Sequence, residues 1–262
     1  MRILVTNDDG IDADGLKAME KIAQEMSNST GSVFVVAPKE NQSAKSNSIT
    51  YNKPFQIKKI NELRYAVEGT PTDCVIFAMD YLMKELKPDI ILSGINSGYN
   101  LSEDVFYSGT IGAAIEGSMR GVLSIGISQC YNSKTAGKKN IYDFAKKHSS
   151  DICLKLFDTF CDRSDNEAPI FNVNFPVEPI YNYPNCVKPV QVGRRTSSNF
   201  VCKTIEAKSD LITTEISSRF ENGSQSTESD YISCLNGHVT ISPLSTNLNH
   251  KSHLKKLKDF FG

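Results

Sequence analysis

Two hydrophobic periodicities alternate along the first half of the chain. Short runs rich in β-branched residues, typical of strands buried on both faces, recur at residues 3–5, 33–36, 90–92 and 122–127. Between and after these runs, apolar residues three or four positions apart predict amphipathic helices over residues 15–26, 74–86, 111–119 and 140–160. Strands that alternate with helices indicate the α/β class, with a parallel sheet and helical crossovers.

The pattern becomes more polar beyond Asp162. We expect residues 1–162 to form the core, and residues 163–262 to complete it in part and to carry hairpins that face water. The elements predicted for this second part are strands at 169–174 and 239–244, hairpins over 187–216, a loop over 217–230, and helices at 229–235 and 251–261. In the last helix, four apolar residues are expected to pack inward: Leu254, Leu257, Phe260 and Phe261.

Composition narrows the range of functions. The formal net charge is -1, with 39% hydrophobic and 23% charged residues. Such a balanced chain has no general attraction for polyanions, so neither a nucleic-acid polymer nor a membrane is an expected partner. The seven cysteines form no CxxC pair, and no apolar leader precedes the first strand. These features predict reduced thiols and a cytoplasmic protein.

The first predicted strand ends in two neighbouring acids, Asp8 and Asp9, followed by Gly10. Ligands of open α/β sheets bind at such strand ends. Two adjacent carboxylates repel each other unless water, a basic side chain or a hard cation compensates. The pair is therefore either a metal site or an ordinary solvated turn, and the motif alone does not separate these interpretations.

Polar side chains also follow the second and third strands, at the same edge of a parallel sheet. They are Asn41-Gln42-Ser43 and the SGINSG motif at residues 93–98. With the two acids they offer carboxylate, hydroxyl and amide oxygens, which suit Mg²⁺ or Mn²⁺ better than Zn²⁺. The four histidines all lie in the second half of the chain, so we expect no histidine-ligated metal in these loops.

Ser108, Gly109 and Thr110 stand at the predicted start of a helix. Unpaired backbone N–H groups at a helix start bind phosphate well, and the two hydroxyls add donors. The competing interpretation is that Ser108 only caps the helix and that Gly109 permits close packing. The chain lacks a G-x-G-x-x-G motif after the first strand, a Walker lysine motif and a G-x-S-x-G elbow, which disfavours dinucleotide, P-loop and serine-hydrolase functions.

A hard metal beside a phosphate cradle suggests hydrolytic phosphoryl transfer. In one route a metal-polarised water attacks phosphorus, while the helix start stabilises the developing charge. In the other, Asp8 or Asp9 attacks phosphorus directly, as carboxylates do in aspartyl-phosphate enzymes. The sequence leaves both routes open.

Several short motifs, in their order and spacing, resemble the SurE (stationary-phase survival protein) family of metal-dependent nucleoside monophosphate phosphatases. They are VTNDDGI at 5–11, VVAP at 35–38 with NQS at 41–43, SNSIT at 46–50, GTPTDC at 69–74, SGINSGYN at 93–100, and YSGT at 107–110 with AAIEG at 113–117. The second half matches more thinly, through FNVNFP at 171–176 and GHVTISPL at 237–244.

The resemblance implies removal of phosphate from nucleoside 5′- and 3′-monophosphates, and some members also trim short polyphosphate. It implies a Rossmann-like core with helices on both faces of the sheet, a protruding β-hairpin, and homodimers or homotetramers built by exchange of C-terminal elements. One divalent ion per subunit, Mg²⁺ or Mn²⁺, would be held by Asp8, Asp9, Ser43 and Asn96. The two aspartates would also be catalytic, and the phosphate and substrate contacts would be Asn96, Ser108, Gly109 and Thr110.

Two other functions are compatible with the same motifs. The first is a nucleotide or phosphate sensor that binds through the helix start without turnover. The second is a Rossmann-like module kept for oligomerisation, in which the glycine-rich segment is only packing. A metal-dependent phosphatase assay on the purified protein discriminates the enzyme from both.

Overall fold

The computed structural model describes residues 1–28, 31–136, 141–161, 168–194, 200–218 and 228–261. Its strands are β1 (Arg2–Thr6), β2 (Ser32–Pro38), β3 (Ile57–Asn61), β4 (Arg64–Val67), β5 (Ile90–Ser97), β6 (Leu123–Gln129), β7 (Ile170–Phe175), β8 (Val187–Pro189), β9 (Phe200–Ala207), β10 (Ile212–Ser218) and β11 (Val239–Leu244). Its α-helices are α1 (Asp14–Ser27), α2 (Pro71–Phe77), α3 (Gly109–Met119), α4 (Asp143–Phe160), α5 (Asp230–Leu235) and α6 (Lys251–Phe261).

Most strands belong to one sheet with the order β3-β4-β2-β1-β5-β6-β7-β11-β8. From β4 through β7 neighbouring strands run parallel, whereas β3 and β11 pair antiparallel to β4 and β7. The strand order reverses at β1, which has β2 on one side and β5 on the other. The carboxyl end of β1 is therefore the switch point at which open α/β sheets bind ligands. The predicted α/β fold with a mostly parallel sheet is confirmed.

The apolar runs predict the central strands because their side chains are buried on both faces of the sheet. In β1, Ile3 and Val5 pack with α1 and α4, while Leu4 packs on the other face with residues of α2 and α3. The apolar stripe predicted for the first helix is buried in α1. Helices cover both faces of the sheet, and its carboxyl edge stays open to the loops that carry the candidate site.

Several predicted boundaries differ from the structure. The helix predicted over 74–86 is α2, capped by Thr70, followed by a π-helical segment, Ala78–Leu82. Strand β5 continues to Ser97, so most of the SGINSG motif belongs to a strand, with a shift of register between Ser93 and Asn96. Strands β3 and β4 were not predicted. Strand β3 is an exposed edge strand that lacks an apolar run, and β4 has only four residues.

The C-terminal half contains the hairpin that the resemblance implies. Strands β9 and β10 pair antiparallel in a separate two-stranded sheet, whereas β8 joins the main sheet. The inward packing predicted for the apolar side of α6 is wrong, because its four large apolar residues are 46% to 84% exposed: Leu254, Leu257, Phe260 and Phe261. The loop predicted over 217–230 lies largely outside the described residues. None of the helices in the described part of the chain has the length and apolar character that a membrane span requires.

Candidate functional site

Asp8 and Asp9 lie in a tight turn directly after β1. The Asn7 side chain closes this turn, since its Nδ2 donates to the carbonyl oxygen of Gly10 at 3.0 Å and its Oδ1 accepts from the Gly10 N–H at 3.3 Å. Gly10 has φ +109°, a conformation that favours glycine. A turn and a functional site are therefore not alternatives here, because the turn is what presents the two carboxylates at the sheet edge.

Asp8 is buried against the start of α3. Its side chain accepts a 2.6 Å hydrogen bond from the hydroxyl of Thr110, a residue 102 positions away in sequence. Gly109 passes so close that a Cβ atom there would lie 2.8 Å from Asp8 Cβ and 3.1 Å from Asp8 Oδ2. This contact depends on a helix start without a side chain at position 109, and it joins the predicted acid pair to the predicted phosphate cradle.

The environment of Asp8 disfavours its ionised form when no cation is bound. Burial raises the pKa of Asp8 to about 6; the hydrogen bond from Thr110 opposes this shift and the negative charge of Asp9 adds to it. Burial also raises the pKa of Asp9, and a hydrogen bond from the backbone N–H of Ser97 opposes the shift. A carboxylate held this far from water is stabilised by a nearby cation.

The end of β5 approaches the second aspartate. The N–H of Ser97 donates to Asp9 Oδ2 at 3.2 Å, so Asn96, the preceding residue, lies beside the pair. The Asn96 Nδ2 group donates to the carbonyl oxygen of Gly98 at 3.1 Å. This bond fixes the amide while leaving Oδ1 without a donor among the described residues, so that oxygen is available as a ligand.

The loop after β2 is bonded to the acid turn. The N–H of Gln42 donates to the backbone carbonyl of Asp8 at 2.7 Å, so Ser43 follows a residue attached directly to the acid turn. Ser43 is exposed, and its N–H donates to Asn41 Oδ1 at 2.8 Å. The same loop also contacts the helix start, because the Ser46 hydroxyl donates to the carbonyl of Phe106 at 2.6 Å.

The helix start itself is capped and well ordered by hydrogen bonds. The Ser108 side chain accepts from the N–H of Ile111 at 3.2 Å, which leaves its own hydroxyl proton available to an anion. The Thr110 hydroxyl, in contrast, gives its proton to Asp8. Sequence reasoning treated both hydroxyls as phosphate donors, whereas in the structure both the hydroxyl and the backbone N–H of Thr110 donate to Asp8.

The donor set fits a hard cation. Two carboxylates, an amide oxygen and a serine hydroxyl are all oxygen donors, the kind that suits Mg²⁺ or Mn²⁺. Across the described ranges, no cluster of three or more His, Cys, Asp or Glu residues offers a competing metal site. The burial of Asp8 beside a second acid is the observation that calls for a positive charge at this place.

Sequence reasoning missed one residue next to this group. Tyr142, at the start of α4, is near Ser97 and Asp9, and burial raises the pKa of its hydroxyl while a hydrogen bond with Ser97 opposes that shift. It was missed because residue 142 lies in the predicted helix over 140–160, which was not associated with any strand end. No local motif marks it, and only the packing of α4 against α1 and the sheet brings it there.

Comparison with known proteins supports the same interpretation. Residues 3–199 match the family model described as "Survival protein SurE". The chain is 44% identical over 199 residues to a protein of Beijerinckia indica named 5′-nucleotidase SurE, covering 76% of this chain and 73% of that protein. It is 37% identical to a protein of the same name from Methylobacterium radiotolerans, with 100% and 99% covered. The crystal structure of the SurE protein from Aquifex aeolicus superposes with a TM-score of 0.76 at 29% identity, over the full length of both chains.

Proposed function

We propose that this chain, which belongs to the survival protein SurE family, is a divalent-metal-dependent phosphatase that removes phosphate from nucleoside 5′- and 3′-monophosphates. The observation that carries the proposal is the contact of the buried Asp8 carboxylate, with Asp9 next to it, against the start of α3, where a helix is suited to bind phosphate. Relatives named 5′-nucleotidase span nearly the whole chain. In this proposal the enzyme is a phosphoric monoester hydrolase whose range extends to short polyphosphate.

The proposed metal ligands are Asp8, Asp9, Ser43 and Asn96, with one Mg²⁺ or Mn²⁺ per subunit. Three connections support this set: Gln42 bonds to the Asp8 backbone, Ser97 bonds to Asp9, and the two acids are adjacent. When bound, the ion would polarise phosphate oxygens and lower the pKa of a coordinated water. The Thr110 hydroxyl holds the Asp8 carboxylate in place for this role.

The phosphate is proposed to lie against the first turn of α3. The N–H group of Gly109 and the hydroxyl of Ser108 are its proposed donors there. Thr110 holds the Asp8 carboxylate beside them, and Asn96 is proposed to border the same space. These donors are fixed before substrate arrives, so they need no rearrangement as negative charge develops on phosphate. Asp9 is the less buried carboxylate of the catalytic pair and faces the open edge. Attack by water and attack by an aspartate both remain compatible with this arrangement.

The proposal is tested by a phosphate-release assay on chelator-treated protein. With 5′-AMP or 3′-AMP, we expect added Mg²⁺ or Mn²⁺ to raise phosphate release at least tenfold, as a metal that supplies Lewis-acid catalysis must. Comparison of the two ions and the two substrates also establishes both preferences. Nucleotide binding without phosphate release under either ion would indicate a sensor, and absence of binding would overturn the proposal.

The protein is further proposed to assemble as a homodimer or homotetramer, with residues 1–162 as the catalytic core and residues 163–262 completing the sheet and forming the contacts. The exposed apolar residues of α6 and of the hairpin support this assembly, including Leu257, Phe260 and Ile216. Light scattering should give two or four times the chain mass of 29.0 kDa. We expect Phe260→Glu to lower that mass and Lys256→Glu to leave it unchanged; a monomeric wild type contradicts the assembly.

A cytoplasmic location belongs to the same proposal. All seven cysteines are free thiols, including the exposed Cys161 and Cys202. Free thiols persist in reducing compartments, where glutathione and thioredoxin keep them reduced.

A further inference from the structure

Two of the buried cysteines face each other at van der Waals distance. The Sγ atoms of Cys130 and Cys234 lie 3.4 Å apart, although the residues are 104 positions apart in sequence. They belong to a small apolar cluster with Leu101 and Tyr231, separate from the two main cores. A disulfide has an S–S distance of about 2.05 Å, so the sulfurs need to approach by about 1.4 Å to bond.

The pair joins the end of β6 to helix α5. Cys130 directly follows β6, and its N–H donates to the carbonyl of Phe175 at 2.9 Å. Cys234 lies in the last turn of α5, a helix that packs on β11. A bond between these sulfurs would tie α5 to the carboxyl edge of the sheet.

We propose that Cys130 and Cys234 form a reversible dithiol–disulfide couple that is oxidised by a low-molecular-weight disulfide such as oxidised glutathione. The Cys130 thiolate attacks one sulfur of the small disulfide and releases one small thiolate, forming a mixed disulfide. The Cys234 thiolate then attacks Cys130 Sγ and releases the second small thiolate. The two cysteines lose two electrons and two protons in total, and the small disulfide is reduced to two thiols.

Access and protonation indicate the order of these steps. Cys130 is 7% exposed and Cys234 is 3% exposed, so an oxidant reaches Cys130 first. The hydrogen-bonding contact with Cys130, together with burial, raises the pKa of Cys234 well above its usual value. The Cys234 thiol is therefore protonated at rest, and its attack on the mixed disulfide is expected to accelerate as the pH rises.

Helix α5 also anchors the segment that leads into the phosphate cradle. Asp230, in the first turn of α5, accepts hydrogen bonds from the N–H of Ser102 at 3.0 Å and from the N–H of Gly193 at 2.8 Å. Ser102, with φ +54°, begins the 3₁₀ helix Ser102–Phe106, which ends two residues before Ser108. A movement of α5 toward β6 would therefore displace the approach to the helix start, where small misplacements are costly.

The test uses a Cys161→Ser/Cys202→Ser background, because those two exposed thiols would otherwise react first. The protein is incubated with oxidised glutathione at pH 8, its remaining thiols are alkylated, and it is digested without reduction. We expect a peptide pair linked through Cys130 and Cys234, and a Tm about 5 °C higher, because the bond closes a long loop. We also expect a several-fold loss of AMP hydrolysis, and dithiothreitol should reverse all three changes.

Cys130→Ser and Cys130→Ala in the same background are the controls and should lose all three responses. Failure to detect the linked peptide in oxidised protein overturns the couple. If the peptide forms while AMP hydrolysis stays within twofold, the coupling to the site is overturned. Only the activity measurement rests on the proposed function, since the peptide map and the Tm are independent of it; an inactive reduced protein would count against the phosphatase and not against the couple.

Discussion

Asp8→Asn is expected to lower phosphate release from AMP by at least about 1,000-fold while the protein stays folded. The substitution removes one of two adjacent negative charges but keeps the size of the side chain. The Thr110 hydroxyl can still donate to the amide oxygen, so the contact with α3 is retained. The loss should therefore fall on cation binding and catalysis, measured by Mn²⁺ titration and by the rate with AMP.

The same variant should be more stable than the wild type when a chelator is present. Burial raises the pKa of Asp8 from 3.8 to about 6, so the folded state binds a proton more tightly than the unfolded chain does. The free energy of unfolding therefore falls as the pH rises from about 4 to 6. Above pH 6 the ionised Asp8 lowers it by about 3 kcal/mol. Urea unfolding at pH 8 should give Asp8→Asn a free energy of unfolding higher than that of the wild type by this amount. At pH 4 the difference between the two proteins should nearly vanish.

Added Mn²⁺ should make the wild type the more stable of the two proteins, because a ligand that binds only the folded state stabilises the protein that binds it. Asp12→Asn is the matched control, since it removes an equal charge from an exposed position close in sequence. It should keep wild-type activity and the wild-type response to Mn²⁺. Retention of more than a tenth of the activity by Asp8→Asn would refute the metal role, and a loss of stability at pH 8 in chelator would refute the burial argument.

The parts of the fold that the sequence predicts are those where one physical requirement dominates. Strand β1 is buried on both faces, so Ile3, Leu4 and Val5 must all be apolar, and the run is visible without knowledge of the partners. Strand β3 has exposed lysines and one open edge, so its sequence carries no comparable signal. The apolar side of α6 was predicted correctly as a pattern and wrongly as to its packing, because a pattern does not say whether the chain itself covers it.

The candidate site also has a part that the sequence predicts and a part that it does not. That three loops meet at one edge follows from parallel strands, and the structure joins them through the Gln42 and Ser97 bonds to the aspartates. The hydrogen bond from the Thr110 hydroxyl to Asp8 was not predictable, because it depends on how α3 packs over β1. Local motifs indicate which groups are near each other, whereas the direction of each hydrogen bond is set by tertiary contacts.

Gly109→Ala is expected to reduce kcat/KM for AMP by about 100-fold and to lower Tm by a few degrees, since the added methyl group overpacks the site. An added Cβ would lie 2.8 Å from Asp8 Cβ, closer than real Cβ atoms approach other atoms, and 3.1 Å from Pro71 Cγ, which is a tight contact. The Asp8 side chain must therefore shift, and the helix start must move away from it. Alanine is itself a good helix former, so α3 loses no intrinsic stability. Weaker Mn²⁺ binding, measured by calorimetry, should accompany the loss of activity.

Ala114→Gly in the same helix separates this local effect from general destabilisation. It costs about 1 kcal/mol of helix stability and touches neither aspartate, so it should lower Tm while activity stays within twofold. A Gly109→Ala protein with wild-type activity and Mn²⁺ affinity would show that the phosphate and metal groups are not joined at this contact. Lost activity at a Tm similar to that of Ala114→Gly would place the catalytic centre where the helix start meets the end of the first strand.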